Sequence, residues 1–289
     1  MKLRNLSLAL VLITVISGCS VRLVYPFLPW SLMDSVTDYV PINRAQKRVL
    51  KADIQEFYQW HRYQQLPLYA TQLESITNHV QPPVTEQQVA VYTQTLLDYW
   101  RSGVGQLLPA GADLFSTLSD KQTVKLLANL DEDLADERED VAKDNEAWRR
   151  KKLAKKMRKY TKRITGSVNH AQEQIITDWS LSVIDTTAQT LEQAERWHKQ
   201  MSLALKERQN SANMLLVMQN HLLDDDQYWD DSYAKAMAHN QTLSNQLIAD
   251  IINSLSEKQL QRSRRYLSGI AKDFRKLSNT QPDQIASTN

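Results

Sequence analysis

Cys19 is the only cysteine in the chain, and its setting gives a lone thiol something to do. It closes Ile16-Ser17-Gly18-Cys19, after Lys2 and Arg4 and an apolar run from Leu6 to Ile16. That run is shorter than the roughly 20 residues a spanning helix needs. A positive start, a short apolar stretch and a small-residue exit describe a secretory signal. A cysteine directly after the small pair adds an acylation site. The expected outcome is a lipoprotein signal over residues 1–18 and a mature chain that begins at a lipidated Cys19. Several acyl chains hold a protein durably on a membrane, whereas one holds only reversibly. Ser20, where an aspartate would favour inner-membrane retention, points to the outer membrane and the periplasmic side. With no second thiol, no disulfide framework is expected, and stability must come from packing.

The second group with chemical potential is a run of charge. Seven of the ten residues from Asp131 to Asp140 are acidic. Ten basic residues follow between positions 149 and 163: Arg149, Arg150, Lys151, Lys152, Lys155, Lys156, Arg158, Lys159, Lys162 and Arg163. Acid followed by base along one helix complements its dipole. The plain reading is a solvated helix face. The sharper reading is an anion-docking surface for lipopolysaccharide phosphates, anionic phospholipid or an acidic envelope protein. Nucleic acid suits the charge but not the compartment.

Catalytic and metal patterns are absent from the sequence. The six histidines, at 61, 79, 170, 198, 221 and 239, form no His-x-x-x-His pair. The similar triplets Trp60-His61-Arg62 and Trp197-His198-Lys199 are read as amphipathic seams with polar tips rather than as a shared His/Glu site. Asp224-Asp225-Asp226 and Asp230-Asp231 lack calcium-loop spacing and read as acidic helix starts. There is no Gly-rich phosphate loop and no nucleophile elbow. No metal, no cofactor and no enzymatic activity are expected.

The elements that must carry these groups are helices. Lys and Arg total 35 against 33 acidic residues, and removal of Lys2 and Arg4 with the leader leaves a neutral mature chain. General attraction to polyanions is therefore not expected of the whole molecule. At 42% hydrophobic the chain can build a core. Glycine and proline number only 6 and 8, and no proline lies between Pro109 and Pro282. Few turns and no strand-like alternation predict long helices.

Helix starts are marked by a cap residue followed three places later by glutamine: Asn43/Gln46, Thr85/Gln88, Ser119/Gln122, Asn169/Gln172 and Ser256/Gln259, with Asp224/Gln227 as a weaker sixth. Each satisfies two orphan amides reciprocally. Their spacing is too uneven for a fixed-period solenoid, so they read as ordinary caps. The predicted helices are 43–64, 67–80, 85–101, one long charged helix over 119–163, then 169–209, 211–223, 225–253 and 256–277. The tether, residues 19–41, is mostly apolar, with Val21, Leu23, Val24, Tyr25, Phe27, Leu28 and Trp30. It reads as a docking segment that packs on the domain, the alternative being the lipid interface. Pro26 and Pro29 argue against a regular helix in it. Residues 42–164 and 165–277 form an N-terminal and a C-terminal helical region with Gly166 as the hinge, and 278–289 a frayed tail. The expected fold is all-α, an elongated multi-helix bundle with the charged helix at its edge.

Trp60-His61-Arg62 and Leu66-Pro67-Leu68-Tyr69-Ala70, with Gly18-Cys19-Ser20, Tyr25, Trp30, Leu118 to Gln122, Gly166 to Gln172 and Trp179-Ser180, carry a family resemblance. The chain resembles an uncharacterised group of bacterial outer-membrane lipoproteins, a domain of unknown function, from its start to about Gln209. The resemblance implies the address and supplies no activity. Leu118 to Gln122 and Leu255 to Gln259 are also similar to the Leu-Thr-x-x-Gln motifs of small Spy-type periplasmic chaperones. The expected function is non-enzymatic binding or scaffolding in the cell envelope, the alternative an ATP-independent chaperone.

Overall fold

The computed structural model describes residues 21–279, and these contain helices and no strand. Cys19, the leader and residues 280–289 lie outside them. The chain opens with a short turn of helix, Val21–Val24, and a 3-10 turn, Tyr25–Phe27, that lead into α1, Leu28–Tyr39. The prolines predicted to prevent a helix here do not, because Pro26 and Pro29 each sit in a first turn, where a missing N–H goes unnoticed. Val21, Tyr25 and Leu28 are buried against Phe57, Tyr58, Leu66, Ile270 and Phe274, so the segment is docked rather than loose.

α2 spans Arg44–Trp60 and α3 spans Leu66–His79. A π turn, His61–Gln65, joins them in place of the predicted break before Pro67. The wider turn leads into α3 with Pro67 in its first turn, and the Leu66 N–H reaches back to the His61 carbonyl. α4 runs from Glu86 to Ser116, through Gly103, Gly105, Pro109 and Gly111, where the sequence predicts an end at 101. Packing overrides those breakers: α9 and α10 lie along α4, and a Cβ at Gly111 would come within 2.8 Å of Met218 Cε. That glycine permits a close helix approach.

The long charged helix is two helices, α5, Asp120–Lys143, and α6, Glu146–Thr165. Asp144 is extended (φ −88°, ψ 126°), and the Asn145 side chain caps α6 by accepting from the Trp148 amide at 2.9 Å. The acidic run therefore occupies the C-terminal half of α5, and the basic run fills α6 from its fourth residue to its last turn. The single dipole becomes two, each helix with an acidic first turn and a basic last turn. The predicted 169–209 helix is likewise broken, into α7, His170–Ser182, and α8, Thr187–Lys206. Asp185 holds the break by accepting from the Thr187 amide and hydroxyl. α9, Ser211–Leu222, a 3-10 turn at Asp225–Tyr228, α10, Asp231–Asn253, and α11, Glu257–Asn279, complete the chain. Residues 278 and 279, assigned to the tail, continue α11.

Five of the six predicted capping boxes form. Asp224 makes no side-chain cap, so the weak sixth does not. Four of the five do more than start helices. Gln46 and Gln122 face each other, and so do Gln172 and Gln259, and all four are buried. Gln122 Nε2 donates to Gln46 Oε1 at 2.7 Å and to Pro41 O at 2.8 Å. Gln46 Nε2 donates to Gln122 Oε1 at 3.3 Å and to Thr117 O at 2.9 Å. In the second pair, Gln259 Nε2 donates to Gln172 Oε1 at 3.0 Å and to Ser167 O at 3.1 Å. Gln172 Nε2 donates to Gln259 Oε1 at 3.1 Å and to Ser254 O at 3.3 Å. Every amide therefore reaches the carbonyl five residues before its partner glutamine. Each Oε1 also accepts its own cap amide, so donors and acceptors are all used.

These two glutamine clasps repeat one plan. Asn-x-Ala-Gln pairs with Leu-Ser-x-Lys-Gln in both. Ser256 and Trp197 each follow their earlier counterparts, Ser119 and Trp60, by 137 residues. Within the first half α1 packs on α2, α2 on α4 and α1 on α5. Within the second α6 packs on α7, α7 on α10 and α6 on α11. Each half then lends its third helix to the other: α3 packs on α11, and α8 on α5. Two cores cross the halves: one sets Phe57, Tyr58 and Leu66 against Ile270 and Phe274, the other Leu118, Leu126 and Leu130 against Met201, Leu205 and Met214. Gly166, read as a hinge, is the left-handed C-cap of α6 (φ 86°), tucked beneath the Arg262 side chain.

Candidate functional site: the basic face of α6

α6 is fixed along its inner side by apolar packing. Ala154 is buried with Ile176 and Leu247, with Met157 and Trp179 beside them. Three arginines clamp its flank. Arg149 donates to Asp185 Oδ2 from Nε at 2.9 Å and from Nη2 at 2.5 Å. Arg150 bonds Glu146 and donates to the carbonyls of Ser180, at 2.9 Å, and Leu181, which end α7. A cation there meets the negative end of the α7 dipole. Arg158 pairs with Glu173. Burial pushes the Asp185 carboxyl up, but hydrogen bonds from Thr187 and Arg149 outweigh it and hold the group below its ordinary range.

The other seven basic residues make no ion pair with any described residue: Lys151, Lys152, Lys155, Lys156, Lys159, Lys162 and Arg163. The six lysines are exposed and Arg163 is half-buried. At 3.6 residues per turn they fall, with Trp148, within an arc of about 140°. From Lys151 to Lys162 the strip is about 16 Å long. Lys152 Nζ stands 4.3 Å from the centre of the exposed Trp148 ring, and Lys156 Nζ 5.9 Å from that of Tyr160. The ten residues predicted as one anion site thus separate by side: three tie α6 to its neighbours, and seven face outward. Like charges at this spacing repel by a few tenths of a kcal/mol per pair. Two of these cations rest on aromatic rings and two lie in the last turn of α6, and none of the seven is held by a carboxylate among the described residues.

The remaining candidates resolve into structure. His61 is buried in an aromatic cluster, with Tyr25 Oη 3.0 Å from Nδ1 and Tyr69 Oη 3.4 Å from Nε2. Burial raises the pKa of both phenols above their ordinary value and lowers that of the imidazole to about 4. The two tyrosine hydroxyls therefore flank a neutral ring, which has one donor and one acceptor nitrogen to offer them. Arg62, 2% exposed, donates from Nε to Leu277 O at 2.7 Å in the last turn of α11. In the other triplet, His198 Nε2 lies 2.9 Å from Asp131 Oδ1 without an aligned hydrogen bond. Glu195 is taken by Arg138. The two triplets do not meet as a His/Glu site. Asp230 caps α10, and hydrogen bonds from the Ser232 hydroxyl and the Tyr233 amide hold its carboxyl low.

Among the described residues no cluster of three or more His, Cys, Asp or Glu could hold a metal ion. An open groove of about 600 Å³ beside the 3-10 turn is lined by Asp226, Gln227, Trp229, Ala234, Met237, Ala238 and Gln241, with one carboxylate and no partner base. Among the described residues, no helix is long and apolar enough to cross a membrane.

Sequence reasoning missed two features. One is the pairing of the cap glutamines, signalled by the repeated Leu-Ser-x-Lys-Gln and Asn-x-Ala-Gln. The other is how the apolar tether divides, with Val21, Tyr25 and Leu28 buried and Leu23, Phe27 and Trp30 exposed, signalled by spacings of four and three residues. No curated protein and no solved structure matches the chain significantly. A family model described as a family of unknown function, DUF6279, matches residues 38–234, which carry the first clasp, all of α6 and Gln172 of the second clasp. That span is more than half of the chain, which therefore belongs to the DUF6279 family of unknown function.

Proposed function

We propose that this is an outer-membrane lipoprotein, held through acylated Cys19 and facing the periplasm, with a non-enzymatic binding or scaffolding role in the envelope. The outer face of α6 is its docking surface for an anionic partner. The observation that carries this reading is the division of the basic run. The arginines α6 needs for its own packing are paired, and seven further cations stand on one face with no carboxylate partner among the described residues. Exposed lysines spaced along a rigid helix suit phosphate or carboxylate groups arrayed on a surface, as on lipopolysaccharide or an acidic envelope protein.

The test is photocrosslinking in cells from positions 155 and 159. Capture of lipopolysaccharide or a small set of envelope proteins is the expected result. A broad collection of unfolded clients would instead support the chaperone alternative, as would near-stoichiometric suppression of aggregation. That alternative rested on the Leu-Ser-x-Lys-Gln segments, and these are occupied by the clasps. For the anchor, Cys19→Ser is expected to release the protein from the membrane fraction. Stable retention after signal cleavage would contradict the lipid assignment.

A further inference from the structure

We infer that the stripe Leu23, Phe27 and Trp30 is a membrane seat that lies in the interfacial layer of the bilayer and fixes the body's orientation there. The inference rests on the proposed acylation of Cys19 and adds a second contact to it. The three side chains are 67%, 63% and 65% exposed, although their neighbours Val21, Tyr25 and Leu28 are buried in the core. The segment is thus rigidly docked by one face while the other presents large apolar groups outward.

The choice of bilayer as occupant follows from position and charge. Leu23 is four residues after Cys19, within about 14 Å of it even if the link is extended. The outward residues then change character along the same face. Exposed Arg22 and the apolar stripe come first, and exposed Asp34 and Asp38 follow at the far end of α1. Asp38 lies about 12 Å beyond Trp30 along the helix. A basic and apolar near end with an acidic far end suits a helix that leaves a membrane surface. Tryptophan is favoured at the headgroup level.

The test uses the mature chain with Cys19→Ala, which carries no acyl group and contains every described residue. Flotation with zwitterionic phosphatidylcholine vesicles is expected to show weak binding that is indifferent to salt. The triple variant Leu23→Ser, Phe27→Ser, Trp30→Ser is expected to bind about tenfold less or weaker still. Its thermal unfolding should match the parent, because the three side chains are exposed. Equal flotation of parent and triple variant, or none by the parent, would overturn the inference. So would a parent that dimerises through the stripe and does not float, which would make the face a contact between copies. The anchor is judged separately, by the mass of the mature N-terminus from cells. An unacylated Cys19 there would defeat the anchor without altering the flotation result.

Discussion

Two helices lead into the two glutamine clasps, α1 into the first and α6 into the second, and their inner sides do the same work. Each packs on the next helix and on the last helix of its own half, and each ends at the carbonyl that a clasp glutamine takes. Their outer sides have nothing in common. The segment running into α1 shows Leu23, Phe27 and Trp30, then Asp34 and Asp38, while α6 shows six exposed lysines. Where packing constrains the chain the two halves agree, and where only solvent constrains it they differ. The buried repeat is the scaffold, and the outer faces are the places to seek partners.

The comparison is broken most severely from inside. Gln172→Ala removes a fully buried amide and leaves the Asn169 amide, the Ser254 carbonyl and half of Gln259 unpaired. At roughly 1–3 kcal/mol per stranded group, a loss of about 4 kcal/mol is expected in denaturant unfolding. Gln46→Ala should cost a similar amount. Gln88→Ala, at the exposed and unpaired fifth box, should cost only about 1 kcal/mol. Comparable losses at all three sites would show that the clasps are no more than caps.

The histidine triplets sharpen the contrast next. His61 is buried and takes up a proton only near pH 4, whereas the unfolded chain does so near 6.5. Between those values the unfolded state binds more protons, so stability rises with pH there and falls as pH is lowered from about 6.5 to about 4. The full effect is on the order of 3 kcal/mol. His61→Phe is expected to flatten this part of the pH–stability curve. An unchanged slope would mean that His61 is already protonated in the folded protein.

Two glycines provide the third test. Gly166→Ala forces a side chain into a left-handed residue and against Arg262, and should cost about 1–2 kcal/mol. Gly103→Ala sits in a helix with open space around it and should be neutral or stabilising by up to about 1 kcal/mol. A Gly166→Ala protein as stable as the parent would show that the cap does not need a glycine. The smallest stability effect belongs to the lysine face. Lys151, Lys155, Lys159 and Lys162 changed together to Gln should move unfolding by less than about 0.5 kcal/mol.

Much of the fold was legible because local chemistry announced it. Scarce glycine and proline predicted an all-α chain, and the five Asn/Thr/Ser…Gln boxes predicted their helix starts correctly. The failures share one cause, which is tertiary context. Pro109 and Gly105 are breakers in isolation, yet α4 continues through them, packed on α9 and α10. Asp144-Asn145 carried a cap signal that the uniform charge of its surroundings masked. The pairing of Gln46 with Gln122 across 76 residues is a long-range contact that no local period reveals. At the candidate site the sequence supplied the ten basic residues. Only packing could separate Arg149, Arg150 and Arg158, which are paired, from the seven that have no carboxylate partner among the described residues.

The most direct measurement is binding of the unlipidated mature chain to vesicles bearing anionic headgroups, followed as salt is raised from about 0.1 M to about 1 M. The screening length falls from about 10 Å to about 3 Å across that range. The account predicts that binding weakens steeply with salt. It also predicts that the four-lysine variant, unchanged in stability, loses most of this salt-sensitive part. Binding indifferent to salt, or a variant that binds as the parent does, would contradict an anion-docking role for α6.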